Sequence, residues 1–347
     1  MGNAGAGLGH FRASDSAFFE SPSHLQQVLD YLDEGFLPLK YAYAGSSAFT
    51  HARLAGTAGY KTVIGQCDHE VEALVTSLPL PTPHQIVDIG PGTGEHSATF
   101  ILRLYQELRR RRALRETRAQ WASPRYLGLD FSTTLLDIAA PRIVDGLGTI
   151  SGFPAIGRST GKPPPGRVTT AQWDVESGYT PTIEAWRQGD DPILICMLGH
   201  TLGNLEDPLQ SLRNLALSSR PGDVLLIAVT LSPQGFDEGD DYEVLHSYDN
   251  KIFANAVLEP WRAAGICEED VNFHLSLADR SVIGEVVFEN PVTVAGHHYS
   301  QGTAIRCFTS ARFLVQEVIG FLAQSGWNVL HRVVDKGSDH LALVATL

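Results

Sequence analysis

The segment Val87-Asp88-Ile89-Gly90-Pro91-Gly92-Thr93-Gly94 constrains the fold of this chain more than any other, because an apolar strand runs directly into three alternating glycines. Glycine there lets the backbone take positive φ and approach a bound nucleotide where a Cβ would collide. From Ser97 to Arg111 the residues Phe100, Ile101, Leu104 and Leu108 fall at helical spacing, so the glycines join a strand to a helix. Tyr126-Leu127-Gly128-Leu129-Asp130 then reads as a second buried strand, ending in a carboxylate 36 residues past Gly94. In a doubly wound sheet, an acid at that place accepts the ribose hydroxyls of an adenosine. A dinucleotide fingerprint spaces its glycines Gly-x-Gly-x-x-Gly and sets its acid about 20 residues on. The pattern therefore fits S-adenosylmethionine better than NAD.

The elements that follow keep the same order. Ala171-Gln172-Trp173-Asp174 ends a third strand with an acid placed for the adenine amino group, and Pro192 to Gly199 is a continuously apolar fourth strand of the kind buried on both faces. A helix over Pro208 to Leu217 and a fifth strand over Asp223 to Val229 flank the turn Arg220-Pro221-Gly222. The rhythm then breaks: Asp237 to Asp241 is acidic and turn-like, a helix is expected over Ser247 to Ala264, and Val271 to Arg306 alternates as an antiparallel sheet with one wet face does. Helical spacing returns through Phe313, Val318, Phe321 and Leu322, and His340 to Ala345 closes the core sheet. The Gly- and Pro-rich stretch Ser151 to Arg167 predicts a loop. Ahead of the core, Leu25, Val28, Leu29 and Leu32 mark a helix, and a Tyr- and Ser-rich stretch from Lys40 follows. The expected architecture is α/β, a Rossmann-like doubly wound sheet of the class I S-adenosylmethionine-dependent methyltransferase kind, over residues 68–234 plus 308–347. Residues 1–67 plus 235–307 are expected to form a second α+β lobe, with a small-molecule site in the cleft between the two.

Composition excludes several alternatives. A net charge of −13 argues against a nucleic-acid partner, and Arg109 to Arg112 reads as the solvated end of a helix. Cys67, Cys196, Cys267 and Cys307 are scattered without a Cys-x-x-Cys and read as reduced, small apolar fillers. His297-His298 lacks a third ligand at metal spacing, so no metal is expected, and Ser46 and Ser47 near His51 lack the Gly-x-Ser-x-Gly turn of a hydrolase. Neither a signal-type apolar segment nor a run of about 18 apolar residues occurs, which predicts a soluble, cytoplasmic protein, monomer or homodimer, without a membrane partner.

Over nearly its whole length the chain resembles the histidine Nα-methyltransferase family of the ergothioneine pathway, which includes fungal N-methyltransferases of ergot alkaloid formation. Leu198-Gly199-His200-Thr201-Leu202-Gly203-Asn204-Leu205 is similar to that family's Gly-x-Thr-Ile-Gly-Asn segment, and Leu37-Pro38-Leu39-Lys40-Tyr41-Ala42-Tyr43 to its Leu-Pro-x-Lys-x-x-Tyr. Tyr248-Asp249-Asn250 with Phe253 and Asn255 is a third match, and Ile305 to Phe313 stands where the family has Ile-Arg-Thr-Glu-x-Ser-x-Lys-Tyr. The resemblance implies that Gly90, His96, Asp130, Asp174 and Val175 contact the cofactor, with Gly92 and Gly94 completing the loop. It also implies that Tyr43, Asn204, Tyr248 and Ser310 surround a small-molecule amine. Tyr60 is a further candidate, although one tyrosine and the proline of the family's Tyr-Tyr-Pro-Thr-Arg are missing.

Two departures bear on chemistry. His96 replaces a lysine that faces the methionine carboxylate, and a neutral imidazole there would still donate one hydrogen bond. Phe308 replaces the glutamate that binds the substrate imidazole, and a phenyl ring cannot accept that bond. The expected activity is therefore N-methylation of an amino acid or amino-acid-derived amine other than histidine, in secondary metabolism, with Asn204, Tyr248 and Tyr43 orienting the amine. The alternatives are a small-molecule O-methyltransferase and a catalytically silent cofactor-binding protein.

Overall fold

The structure is a computed structural model that describes residues 22–57, 67–77, 84–113, 124–148, 167–232, 245, 248, 250–294, 296–335, 337 and 339–347. Tyr60, the stretch 151–166 and the acidic run 237–241 lie outside the described residues. The N-terminal segment folds as α1 (Pro22–Asp33), a 3-10 turn (Leu39–Tyr43) and α2 (Ser47–Ala55). Then come α3 (Cys67–Ser77), β1 (Gln85–Ile89), α4 (Glu95–Ala113), β2 (Arg125–Asp130), α5 (Thr133–Gly148), β3 (Val168–Gln172), α6 (Thr182–Trp186), β4 (Leu194–Met197), a 3-10 turn (Leu202–Asn204), α7 (Pro208–Leu217) and β5 (Val224–Thr230).

Strands β1 to β5 pair in parallel, and successive side chains point to opposite faces. Val87, Ile89, Ile195 and Met197 pack under α6 and α7 on one face, while Ile86, Leu194 and Cys196 pack under α3, α4 and α5 on the other. That two-sided burial is why β1 and β4 are apolar throughout, and why their positions are legible from composition.

Beyond the core sheet, α8 (Lys251–Ala263) starts later than the helical spacing suggests, because the Asn250 side chain caps it by accepting the Phe253 N–H at 2.8 Å. β6 (Val271–Ala278), β7 (Ser281–Phe288) and, after the ribbon β8 (Val292–Val294) and β9 (His297–Tyr299), β10 (Ala304–Ala311) make the small antiparallel sheet, ordered β10-β7-β6. β10 runs across the division expected at 307/308, pairing along β7 from Ala304 to Ala311. Its interior packs on α1 and α8 through Val28, Leu32, Phe253, Val257 and Trp261. The N-terminal segment is tied to its edge, with the Leu37 N–H donating to the Arg306 carbonyl at 2.6 Å and the Arg306 N–H to the Gly35 carbonyl at 3.2 Å.

After β10 come α9 (Val315–Gln324), β11 (Asn328–Asp335) and β12 (His340–Thr346). β12 lies antiparallel to β5 and β11 antiparallel to β12, giving the large sheet the order β11-β12-β5-β4-β1-β2-β3, the class I methyltransferase arrangement. The sequence pattern does not announce β11. It is an edge strand whose residues alternate between exposed and half-buried, so His331 and Arg332 interrupt its apolar run.

The last link between the sheets is steric. A Cβ at Gly203 would stand 2.5 Å from the Ala311 carbonyl oxygen, backbone against backbone, where β10 leaves the small sheet. At Gly320, inside α9, the nearest atom is 3.9 Å away. Gly203→Ala should therefore lower the thermal midpoint, and Gly320→Ala should raise it through about 0.5–1 kcal/mol of helix propensity. Thermal unfolding of both variants checks this, and equal effects would overturn the steric account.

Candidate active site

β1 lies between β2 and β4, so the chain order reverses beside it, and a crevice opens at the carboxyl ends of the strands. Three glycines line up there for three different reasons. A Cβ on Gly90 (φ +67) would lie 2.9 Å from Thr201 Cγ2 in the segment after β4. Gly92 (φ +55) has nothing within 4 Å of such a Cβ, so its positive φ and open space belong to the cleft. A Cβ on Gly94 (φ +76) would meet Ala139 in α5 at 3.0 Å, so glycine there lets α4 start against α5. Unlike Gly90 and Gly92, Gly94 is not among the residues that border the cleft.

The cleft encloses about 1130 Å3 including its open mouth. Gly90, Gly92, His96, Asp130, Asp174, Val175, Asn204 and Tyr43 all border it. Asp130, at the end of β2, accepts the Ser132 N–H at 2.9 Å, which turns the chain into α5 while the carboxylate faces the cleft. Asp174 lies two residues beyond β3, and Lys40 Nζ meets it at 2.7 Å and Glu176 at 3.3 Å. Burial works against the Lys40 charge, but Asp174 and Glu176 outweigh it and hold the ammonium above its ordinary range. Asp174 is thus bound to the N-terminal segment, which forms one wall of the cleft.

His96 departs from the neutral imidazole expected. Its Nε2 lies 2.8 Å from Oε2 of Glu70, a fully buried carboxylate on α3. Burial alone would remove the imidazole proton, yet Glu70 raises the His96 pKa well above the usual histidine range. Next to it, the Tyr126 hydroxyl donates to Asp88 at 2.7 Å, and burial lifts the Asp88 pKa.

The other end of the cleft is neutral. Asn204 Nδ2 donates to the Tyr43 hydroxyl at 3.4 Å, and the Tyr43 ring stands edge-on to His51 at 4.6 Å. The N-cap of α7 is Asp207, which accepts the Gln210 N–H, so Asn204 is not spent as a cap. His51 and His200 both border the cleft, and burial lowers each to about 4. His200 Nδ1 lies 3.0 Å from Thr230 Oγ1. Neither histidine nor Lys40 stands out from residue type alone; Lys40 and His200 sit within motifs that carry the family resemblance, and that was the available signal.

Tyr248, Ser310 and Phe308 form a second group. The Tyr248 and Ser310 hydroxyls are 3.1 Å apart, and Phe308 packs edge-on against Phe253 at 4.8 Å and beside Tyr248 at 5.4 Å. Gly284 makes the room, since a Cβ there would come within 2.8 Å of Phe308 Cβ. Phe308 and Ser310 are buried in the small lobe, and none of the three borders the cleft. Tyr60 lies outside the described residues.

No protein-family pattern matches the chain, and no curated protein matches it in sequence. Among solved structures, an amino pentose methyltransferase from Micromonospora echinaspora, involved in calicheamicin biosynthesis, is similar at 14% identity and TM-score 0.38, covering 86% of this chain and 95% of that one. A S-adenosylmethionine-dependent methyltransferase from Clostridium acetobutylicum is similar at 14% identity and TM-score 0.40, covering 86% and 97%. An O-methyltransferase family 2 protein from Planctomyces limnophilus is similar at 13% identity and TM-score 0.40, covering 86% of this chain and 60% of that one.

Proposed function

We propose that this protein is a S-adenosylmethionine-dependent N-methyltransferase acting on the amine of an amino acid or amino-acid-derived small molecule, other than histidine. The observation that carries the reading is one continuous cleft at the strand reversal, with the glycine loop and the acids Asp130 and Asp174 at one end and the uncharged Asn204–Tyr43 pair at the other. The residues present fit the cofactor: open space beside Gly92 suits its methionine portion, Asp130 its ribose, and Asp174 with Val175 its adenine. Once bound, the cofactor supplies a methyl group on a sulfonium, open to in-line attack.

What remains for the protein is positioning and proton control. Asn204 and Tyr43 orient the amine, whose proton leaves to water before attack. Phe308 is packed among aromatic rings away from the cleft, so position 308 supplies no carboxylate to bind an imidazole, which supports an acceptor other than histidine.

Incubation with deuterated-methyl cofactor and a pool of amino acids, amines and phenols, read by mass spectrometry, tests the reading. Label on an amine is expected; label on hydroxyls alone, or fastest turnover with histidine, would overturn it. Asn204→Ala should remove most turnover while leaving cofactor affinity intact. S-adenosylhomocysteine at about 100 times its dissociation constant should add roughly 2.7 kcal/mol to stability, and NAD should add none. In Asp130→Ala the ribose loses a charged acceptor worth about 1.5–3 kcal/mol, so a calorimetric dissociation constant equal to wild type would move the ribose site elsewhere.

The neutral histidines also predict a pH dependence of stability. An unfolded chain takes up a proton near the ordinary 6.5, whereas folded His51 refuses it down to about 4. Protonation therefore pulls toward unfolding, and stability should fall as pH drops from 6.5 to 4, by on the order of 3 kcal/mol for this residue. His96 acts in the opposite sense, because its raised pKa adds stability that is lost as pH rises through it. Urea midpoints across that window should slope less in His51→Asn than in wild type, and parallel slopes would show that His51 is not held neutral.

A further inference from the structure

Cys67 and Glu70 open α3 one turn apart and so face the same side. Opposite them stands His96, the second residue of α4, and His340 begins β12 on a third side. His96 Nε2 is 3.9 Å from Cys67 Sγ and 2.8 Å from Glu70 Oε2, and one donor atom from each of these three residues lies within 4.8 Å of the others. His340 Nε2 lies 3.8 Å from Glu70 Oε1, yet among the described residues it makes no hydrogen bond, although its side chain is only 5% exposed. Methyl transfer does not use Cys67, Glu70 or His340, and an unpartnered buried ring nitrogen aimed at a buried carboxylate is costly unless something joins them.

We propose that Cys67, Glu70, His96 and His340 bind a transition-metal dication, zinc in the first place. A thiolate, two imidazoles and a carboxylate suit zinc or cobalt and not the oxygen-seeking magnesium or calcium. Bond lengths of about 2.3 Å to sulfur and about 2.0–2.1 Å to nitrogen and oxygen place tetrahedral ligands roughly 3.3–3.6 Å apart. The 3.9 Å and 2.8 Å among Cys67, Glu70 and His96 bracket that range to within about half an ångström, and His340, outside that group of three, must swing toward it to complete the set. Binding replaces the His96–Glu70 hydrogen bond, and one thiolate with one carboxylate neutralises the dication. The metal pins α3, α4 and β12 together beneath the cofactor cleft, reached from the His96 side. None of this depends on the methyl-transfer reading.

The test is titration of the full-length, reduced, metal-free protein with cobalt(II). A near-ultraviolet thiolate-to-cobalt charge-transfer band is expected. Cys67→Ser should abolish the band, and His340→Ala should weaken affinity by about tenfold or more. Thermal midpoints of the metal-free variants report whether each has folded, and His340→Gln serves if the alanine variant has not. Absence of a thiolate band in the wild-type protein overturns the site. So does a band unchanged in both variants, or cobalt bound only without the band, as by the exposed His297–His298 ribbon.

Discussion

Two loops cross at the strand reversal with no room for a side chain between them, and the cleft exists because they do. Gly90 passes Thr201 at a distance that any Cβ would violate, which brings the end of β1 and the segment after β4 into one wall. From that crossing, Gly92 is left facing open space and Asn204 follows three residues after Thr201, so the glycine loop and Asn204 are held at opposite sides of one contact. Gly203 repeats the device one step further out, against the Ala311 carbonyl, and so fixes the small sheet to the same segment. Gly90 meets the short, branched Thr201 side chain and Gly203 meets backbone, and neither contact can give way far, so the placement of the loops around the cleft is a steric matter.

Charge is distributed along the cleft accordingly. At the cofactor end, Lys40 meets Asp174 and Glu176, and His96 meets Glu70, so each buried ion has an opposite within hydrogen-bond distance. At the acceptor end, burial leaves His51 and His200 neutral beside the Asn204–Tyr43 pair. Low dielectric strengthens both arrangements: paired charges hold tightly, and burial strips the proton from His51 and His200. For the proposed reaction this polarity is the useful one, since a dissociated carboxylate beside the amine would keep it protonated and unreactive.

Lys40 has a structural consequence as well. It reaches Asp174 across 134 residues of sequence and ties the N-terminal 3-10 turn to the end of β3. With the strand-like hydrogen bonds from Leu37 to Arg306, the N-terminal segment is fastened at one end to the large sheet and at the other to the small one. The cleft is therefore closed by a segment that contributes no strand to the core sheet but does contribute Tyr43.

The amino-acid sequence by itself determined the parallel core and the glycine loop and acids that border the cleft. Strands buried on both faces must be apolar throughout, positive φ requires glycine, and an acid at the end of β2 sits next to the strand it follows, so each signal is local. It also marked Asn204 and Tyr43 through motifs, though not that they touch. Only the tertiary structure decided that Gly94 serves helix packing, that β11 exists at the edge, that Phe308 is buried away from the cleft, and that Glu70, His96 and His340 converge. Those outcomes depend on which distant residue fills the space or supplies the opposite charge, and a contact between residues far apart in the chain leaves no periodic trace in either one's neighbours.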